Sequence, residues 1–164
     1  MPILVRKINM AKWMQNDILS GNDVSADAIT NCMRTNQNAL STWQVNNENE
    51  IKEAVLAIVA SHQHLDTIDI VFLDHDYLKK IGINLRSTPG DTPVKELINN
   101  HIDICELTYN SLGVIAKNIV QAIKDDKKKR VTKRELKTIL SQAIESGRLV
   151  ENDLHDSIRT KLRS

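Results

Sequence analysis

The stretch Thr67-Ile68-Asp69-Ile70-Val71-Phe72-Leu73-Asp74 carries the strongest β signal in the chain, with β-branched and aromatic residues packed into one short run. Strand-like and helix-like segments alternate before it, and everything beyond about Pro93 reads as helix. The segment is therefore expected at the centre of a small sheet. Its end delivers Asp74, His75 and Asp76 to the sheet edge, which is where α/β proteins place their chemistry.

Working outward toward the N-terminus, Pro2 to Ile8 suits a strand, and Asn9 is placed to cap a short helix carrying Met10, Trp13 and Met14. Ser25 caps a second helix with Ile29, Cys32 and Met33 on its apolar stripe, and Ala39 to Val45 reads as another strand. Asn47 and Glu50 then have the spacing of a capping box, ahead of a helix that buries Ile51, Val55, Ile58 and Val59. The order β-α-α-β-α-β-α predicts an α-rich α/β fold built on a small three-stranded sheet with crossover helices. Such crossovers favour parallel strands, with an antiparallel arrangement left open.

Toward the C-terminus, Thr88-Pro89-Gly90-Asp91-Thr92-Pro93 is the one dense turn cluster and marks the expected boundary. It divides an α/β lobe, residues 1–88, from an all-helical C-terminal lobe, residues 89–164, the two forming one compact domain. A helical pattern runs through Val94, Leu97, Ile98, Ile102 and Cys105, breaks near Thr108 to Gly113, and resumes through Leu112, Ile115, Ile119 and Ile123. Thr132 with Glu135 forms a capping box for the next helix, and Gly147 sits where a helix-ending glycine belongs. The last helix offers Leu154, Ile158 and Leu162 on a narrow stripe suited to docking on its predecessor or on another chain, and the partner-binding reading expects some of it to be interface.

With 164 residues, 41% hydrophobic and 26% charged, the chain has the composition of a folded domain. Cys32 and Cys105 fall on the apolar faces of expected helices and belong to no Cys/His cluster, which favours reduced thiols and a cytoplasmic location. The longest apolar run, Ala54 to Ala60, is too short to cross a bilayer, so no membrane association is expected. No phosphate loop or other cofactor motif occurs, and no cofactor is expected.

Candidate chemistry centres on His62 and His64 with Asp74 and Asp76, residue types that a hydrolytic Zn²⁺ or Mn²⁺ site draws on. Geometry opposes that grouping, because a helix running back along its following strand ends near the strand's start, far from Asp74; no metal site is assigned. Asp74, His75 and Asp76 are candidates for acid–base work in a small metal-dependent hydrolase or nuclease, against a simpler reading of Asp74 or His75 as a helix cap. His101 and Asp103, two apart on an expected helix, point about 200° from one another, which makes His101 a packing residue. No nucleophile elbow surrounds any serine or cysteine.

The net charge of +1 conceals a basic surplus in the C-terminal half. Lys127, Lys128, Lys129, Arg130, Lys133, Arg134 and Lys137 form its densest run, a candidate contact for nucleic-acid phosphates or a solvated connector. No aromatic residue lies within it, which removes a base-stacking platform. The reading that follows is a non-enzymatic adaptor or regulatory protein that binds a partner through its helical C-terminal lobe. The alternatives are the hydrolase or nuclease using Asp74 and Asp76, and a nucleic-acid-binding regulator using the basic run.

Overall fold

The computed structural model describes residues Met1–Ser164. Six strands form one sheet: β1 (Ile3–Ile8), β2 (Leu40–Val45), β3 (Ile68–Asp74), β4 (Asn84–Ser87), β5 (His101–Cys105) and β6 (Lys128–Val131). Their spatial order is β4-β5-β2-β1-β3-β6, and every neighbouring pair is antiparallel. The expected three-stranded sheet followed by an all-helical lobe is thus replaced by a six-stranded antiparallel sheet that draws two of its strands, β5 and β6, from beyond residue 88. Instead of taking the centre, β3 stands next to the β6 edge, with β1 and β2 in the middle.

No neighbouring strands run parallel, so the parallel arrangement favoured by the β-α-β order is not the one found, and the antiparallel alternative is. Because β2 and β3 both run antiparallel to β1, they are parallel to each other but separated by it. The helix between them, α3 (Ile51–Ala60), therefore carries the chain over β1. Its predecessors α1 (Met10–Trp13) and α2 (Ala26–Cys32) connect β1 to β2, and α4 (His75–Lys80) follows β3 directly. Three further helices complete the chain: α5 (Tyr109–Lys124), α6 (Lys133–Glu145) and α7 (Asp156–Arg163).

Period-two alternation gives the sheet two buried faces and makes the molecule three layers thick. Val5, Trp43, Val45, Ile68 and Ile70 share one core with α3, α6 and α7. Leu4, Ile8, Leu40, Val71, Leu73, Ile102 and Ile104 share the other with α1, α2, α4 and α5. Several termini follow the local chemistry of the sequence. Ser25 caps α2, and reciprocal capping boxes close α5 at Thr108/Ser111 and α6 at Thr132/Glu135.

The two strands beyond residue 88, one in place of expected helix and one in place of an expected charged connector, have separate causes. In His101-Ile102-Asp103-Ile104-Cys105 the isoleucines alternate onto the α5 face, a pattern of period two that also satisfies the helical spacing running from Val94. Residues Lys95–Asn100 form only a 3₁₀ turn before it, and Cys105 ends a strand instead of lying on a helix. The charged run Lys128–Val131 has no intrinsic β preference, yet it pairs with β3 as an edge strand, from Ile68↔Val131 to Val71↔Lys128. Lysine on such an edge opposes pairing with another chain, which is the condition an exposed edge has to meet.

Candidate functional site: a fork between β1 and β2

The two central strands part company. All six residues of β1 pair with β3, from Ile3↔Asp74 to Ile8↔Asp69, but only Ile3, Leu4 and Val5 pair with β2. Leu40 to Trp43 pair with β5 on the far side, in the register Leu40↔Ile104 to Trp43↔His101, and of these only Trp43 also pairs with β1. A fork opens between Arg6-Lys7-Ile8 on one side and Leu40-Ser41 on the other. It opens into a cleft of about 510 Å³, flanked by the C-terminal end of α2 (Asn31, Cys32) on one face of the sheet and by the end of α3 (Ile58), with Ser61 and His62 just after it, on the other.

The Arg6 side chain braces the fork. Its Nη1 donates to the Ser41 carbonyl at 2.6 Å, and its Nη2 donates to the Cys32 carbonyl at 2.5 Å, closing the end of α2. Its Nε–H is buried and has no partner. Burial lowers the guanidinium to about 10, a shift that the nearby Cys32 thiol partly opposes. Lys7 is likewise lowered by desolvation, opposed first by Asp66, whose own carboxylate is 3.6 Å from Lys161. Neither Arg6 nor Lys7 has a carboxylate in ion-pair contact. None of the residues lining the cleft is acidic.

His62 completes the polar lining just beyond the end of α3. Desolvation, followed by the charge of Lys7, lowers its pKa to about 4, so the imidazole stands neutral at pH 7 and accepts or donates hydrogen bonds without adding charge.

Behind the cleft lies a chain of hydrogen bonds that the strand geometry assembles. His101 and Asp103 sit two apart on β5 and therefore face the same side of the sheet, where a helix would have separated them. Asp103 is directly opposite Ser41 in the β2–β5 register. Ser41 Oγ contacts His101 Nε2, His101 Nδ1 lies 2.9 Å from Thr88 Oγ1, and Thr88 Oγ1 donates to Asp103 Oδ2 at 2.8 Å. The single proton of Thr88 goes to the carboxylate, so Thr88 accepts from His101 Nδ1–H. In the neutral ring that assignment leaves His101 Nε2, which also lies 3.9 Å from Asp103 Oδ1, as the acceptor for the Ser41 hydroxyl.

His101 is buried, packed edge-on against Trp43 with ring centroids 5.1 Å apart. Gly90 lies over this pair: a Cβ built there would meet the Trp43 ring and would come within 2.8 Å of His101 Cβ. The turn cluster that looked like a boundary between lobes is thus the lid over the histidine. Ser41 by contrast is exposed and lines the cleft.

Apart from His62, and from His101 and Asp103 in the hydrogen-bond chain, the candidates drawn from sequence lie elsewhere. Asp74 caps α4 by accepting from Tyr77 N–H at 2.9 Å, and His75 Nδ1 is 2.8 Å from the Asp76 carboxylate. These three sit at the C-terminal end of β3, about 20 Å of strand away from its start near the His62 end of α3. His64 packs against His155. No group of three His, Cys, Asp or Glu side chains is placed to hold a metal ion.

The basic run is divided by its own strand. Lys129 and Val131 face the α3/α6 side, and Lys128 and Arg130 face the other, where they meet Asp126 and Asp69. Lys127 lies in the connector before β6, and Lys133, Arg134 and Lys137 lie on the first turns of α6.

Leu154 and Ile158 are buried in the chain's own core, with Leu162 packed against it, so the final helix docks on α3 and the sheet rather than presenting its stripe outward. No helix is long and apolar enough to cross a membrane. Sequence reasoning missed Arg6, Lys7, Ser41, Thr88 and Trp43, and read His101 and Asp103 in the wrong periodicity. The alternation in His101-Ile102-Asp103-Ile104 was the signal for the last two; the fork itself has none. No protein-family model, no curated protein and no solved structure matches this chain.

Proposed function

We propose that the chain binds a small organic anion, bearing a phosphate or carboxylate group, in the fork between β1 and β2. One observation carries this reading: Arg6 and Lys7 bring two positive charges to a concave cleft with no acidic residue in its lining, and neither has an ion-pair partner. A desolvated cation without a counter-charge is costly, and a bound anion supplies the missing compensation in a medium where the attraction is stronger than in water. The volume of about 510 Å³ suits a ligand of metabolite size. The hydroxyls of Ser41 and Ser61 and the amides of Asn9 and Asn31 line the same cleft and offer neutral hydrogen-bonding groups.

Calorimetric titration with inorganic phosphate, pyrophosphate and citrate tests the proposal, with uncharged glycerol as control. Saturable binding that weakens with salt is expected, and Lys7→Gln reduces the affinity by about tenfold, the loss of one charge-assisted contact. Arg6→Lys keeps the charge but loses the two-carbonyl brace, and it weakens binding less than Lys7→Gln if Arg6 acts on the ligand through charge. Absence of saturable binding for all three anions at about 10 mM, a concentration that would reveal even millimolar affinity, overturns the reading.

A further inference from the structure

We infer that Ser41 is a nucleophile activated by His101, with Thr88 and Asp103 as positioning residues, and that the fork hydrolyses a small carboxylic ester carrying a negative charge. The anionic character of the substrate rests on the anion-binding reading above, whereas the activation of Ser41 stands on the hydrogen-bond chain alone.

The polarity of that chain is what nucleophilic catalysis needs. Asp103 accepts from Thr88, Thr88 accepts from His101 Nδ1–H, and His101 Nε2 is left to accept from Ser41 Oγ–H. The order is that of a serine, a histidine and an aspartate with one hydroxyl inserted between the last two. Burial separates the roles: the histidine is enclosed by Trp43 and Gly90, while the serine is exposed on the wall of the cleft. A network that only satisfied a buried histidine has no need to terminate on a serine that is exposed on a cleft lined by two cations without ion-pair partners.

In the reaction, Ser41 Oγ forms a bond to the ester carbonyl carbon as its proton passes to His101 Nε2, and the carbonyl electron pair moves onto oxygen. Collapse of the tetrahedral species breaks the bond to the alkoxy oxygen, which takes the proton from His101 and leaves as the alcohol. A water molecule, deprotonated by His101, then attacks the acyl-serine. Its cleavage releases the carboxylic acid and returns the proton to Ser41. Lys7, on the same face of the sheet as the Ser41 side chain, favours the developing oxyanion, and Arg6, reaching the fork from the other face, adds to the positive charge that draws in an anionic substrate.

Two measurements on the full chain test this. The first is covalent labelling by an uncharged fluorophosphonate, located by peptide mass spectrometry. The second is hydrolysis of 4-nitrophenyl acetate and of the 4-nitrophenyl monoester of succinic acid, across pH. Label is expected on Ser41 and absent from Ser41→Ala. His101→Gln should slow both labelling and hydrolysis by roughly 100-fold or more, as loss of a general base does.

Thr88→Val should slow the reaction and change its pH profile, while Thr88→Ser, which restores the hydroxyl, returns both; a merely structural threonine would not give that pattern. Melting curves of each variant separate chemistry from folding. No label on Ser41 in the wild type, together with hydrolysis no faster than that of Ser41→Ala, overturns the inference without touching the anion titrations. Label on Ser41 with equal kcat/KM for the two esters supports the nucleophile and removes the anionic substrate.

Discussion

Replacing Gly90 by alanine isolates the contact on which the buried histidine depends. The backbone at Gly90 does not occupy the left-handed region, so the substitution carries no conformational penalty, and its cost comes from packing alone. The new Cβ would stand 2.8 Å from His101 Cβ and from Trp43 Cζ3, distances at which something has to move. Trp43 is fixed in the core, His101 Cβ is fixed by the β5 ladder, and the Gly90 segment is tied down by Gly90 N–H donating to the Ile98 carbonyl at 2.9 Å.

Overpacking of this kind costs about 1–3 kcal/mol, and weakening the Gly90–Ile98 hydrogen bond adds about 1 kcal/mol, giving about 2–4 kcal/mol in total. For a domain of this size that lowers the melting temperature by about 4–16 °C. Gly113→Ala is the matched control: Gly113 lies within α5 with nothing near its added Cβ, and the change should stabilise the protein by about 0.5–1 kcal/mol. Urea denaturation of both variants measures the pair. A Gly90→Ala protein as stable as Gly113→Ala would refute the close packing of the turn on Trp43 and His101, and with it the enclosure of the histidine.

Two further outcomes follow from burial. Ile158 is fully enclosed between α7 and the core shared with α3 and α6, so Ile158→Ala should cost about 2–5 kcal/mol of stability by urea denaturation, with no effect on association state. A change in association at unaltered stability would return the stripe to the role of an interface. His62, lowered to about 4, is neutral when folded and takes up a proton more readily when unfolded. Its contribution is therefore complete above the unfolded value of about 6.5 and is lost as pH falls toward 4. With solvent access discounted, the loss is on the order of 1–2 kcal/mol at the acid end. His62→Gln should flatten this part of the stability profile, and an unchanged slope between pH 6.5 and 4 would show that His62 is not the group responsible.

Local chemistry explains which parts of the molecule the sequence by itself determined. The β-branched and aromatic content of Ile68–Asp74 favours a strand from local chemistry alone, and the spacings of Ser25, Asp74 and Thr132 place helix starts because each cap is satisfied by the amide three residues on. Tertiary structure decided what depends on distant partners. The run Lys128–Val131 becomes a strand only because β3 offers it a ladder, and His101-x-Asp103 becomes a same-face pair only because β2 and β4 hold it extended. The candidate site is of this second kind throughout. Ser41 meets His101 across sixty residues of sequence, and Arg6 reaches Ser41 because two central strands separate after three paired residues. Strand pairing and the failure of pairing are long-range events, set by which backbone lies alongside, and no local spacing encodes them.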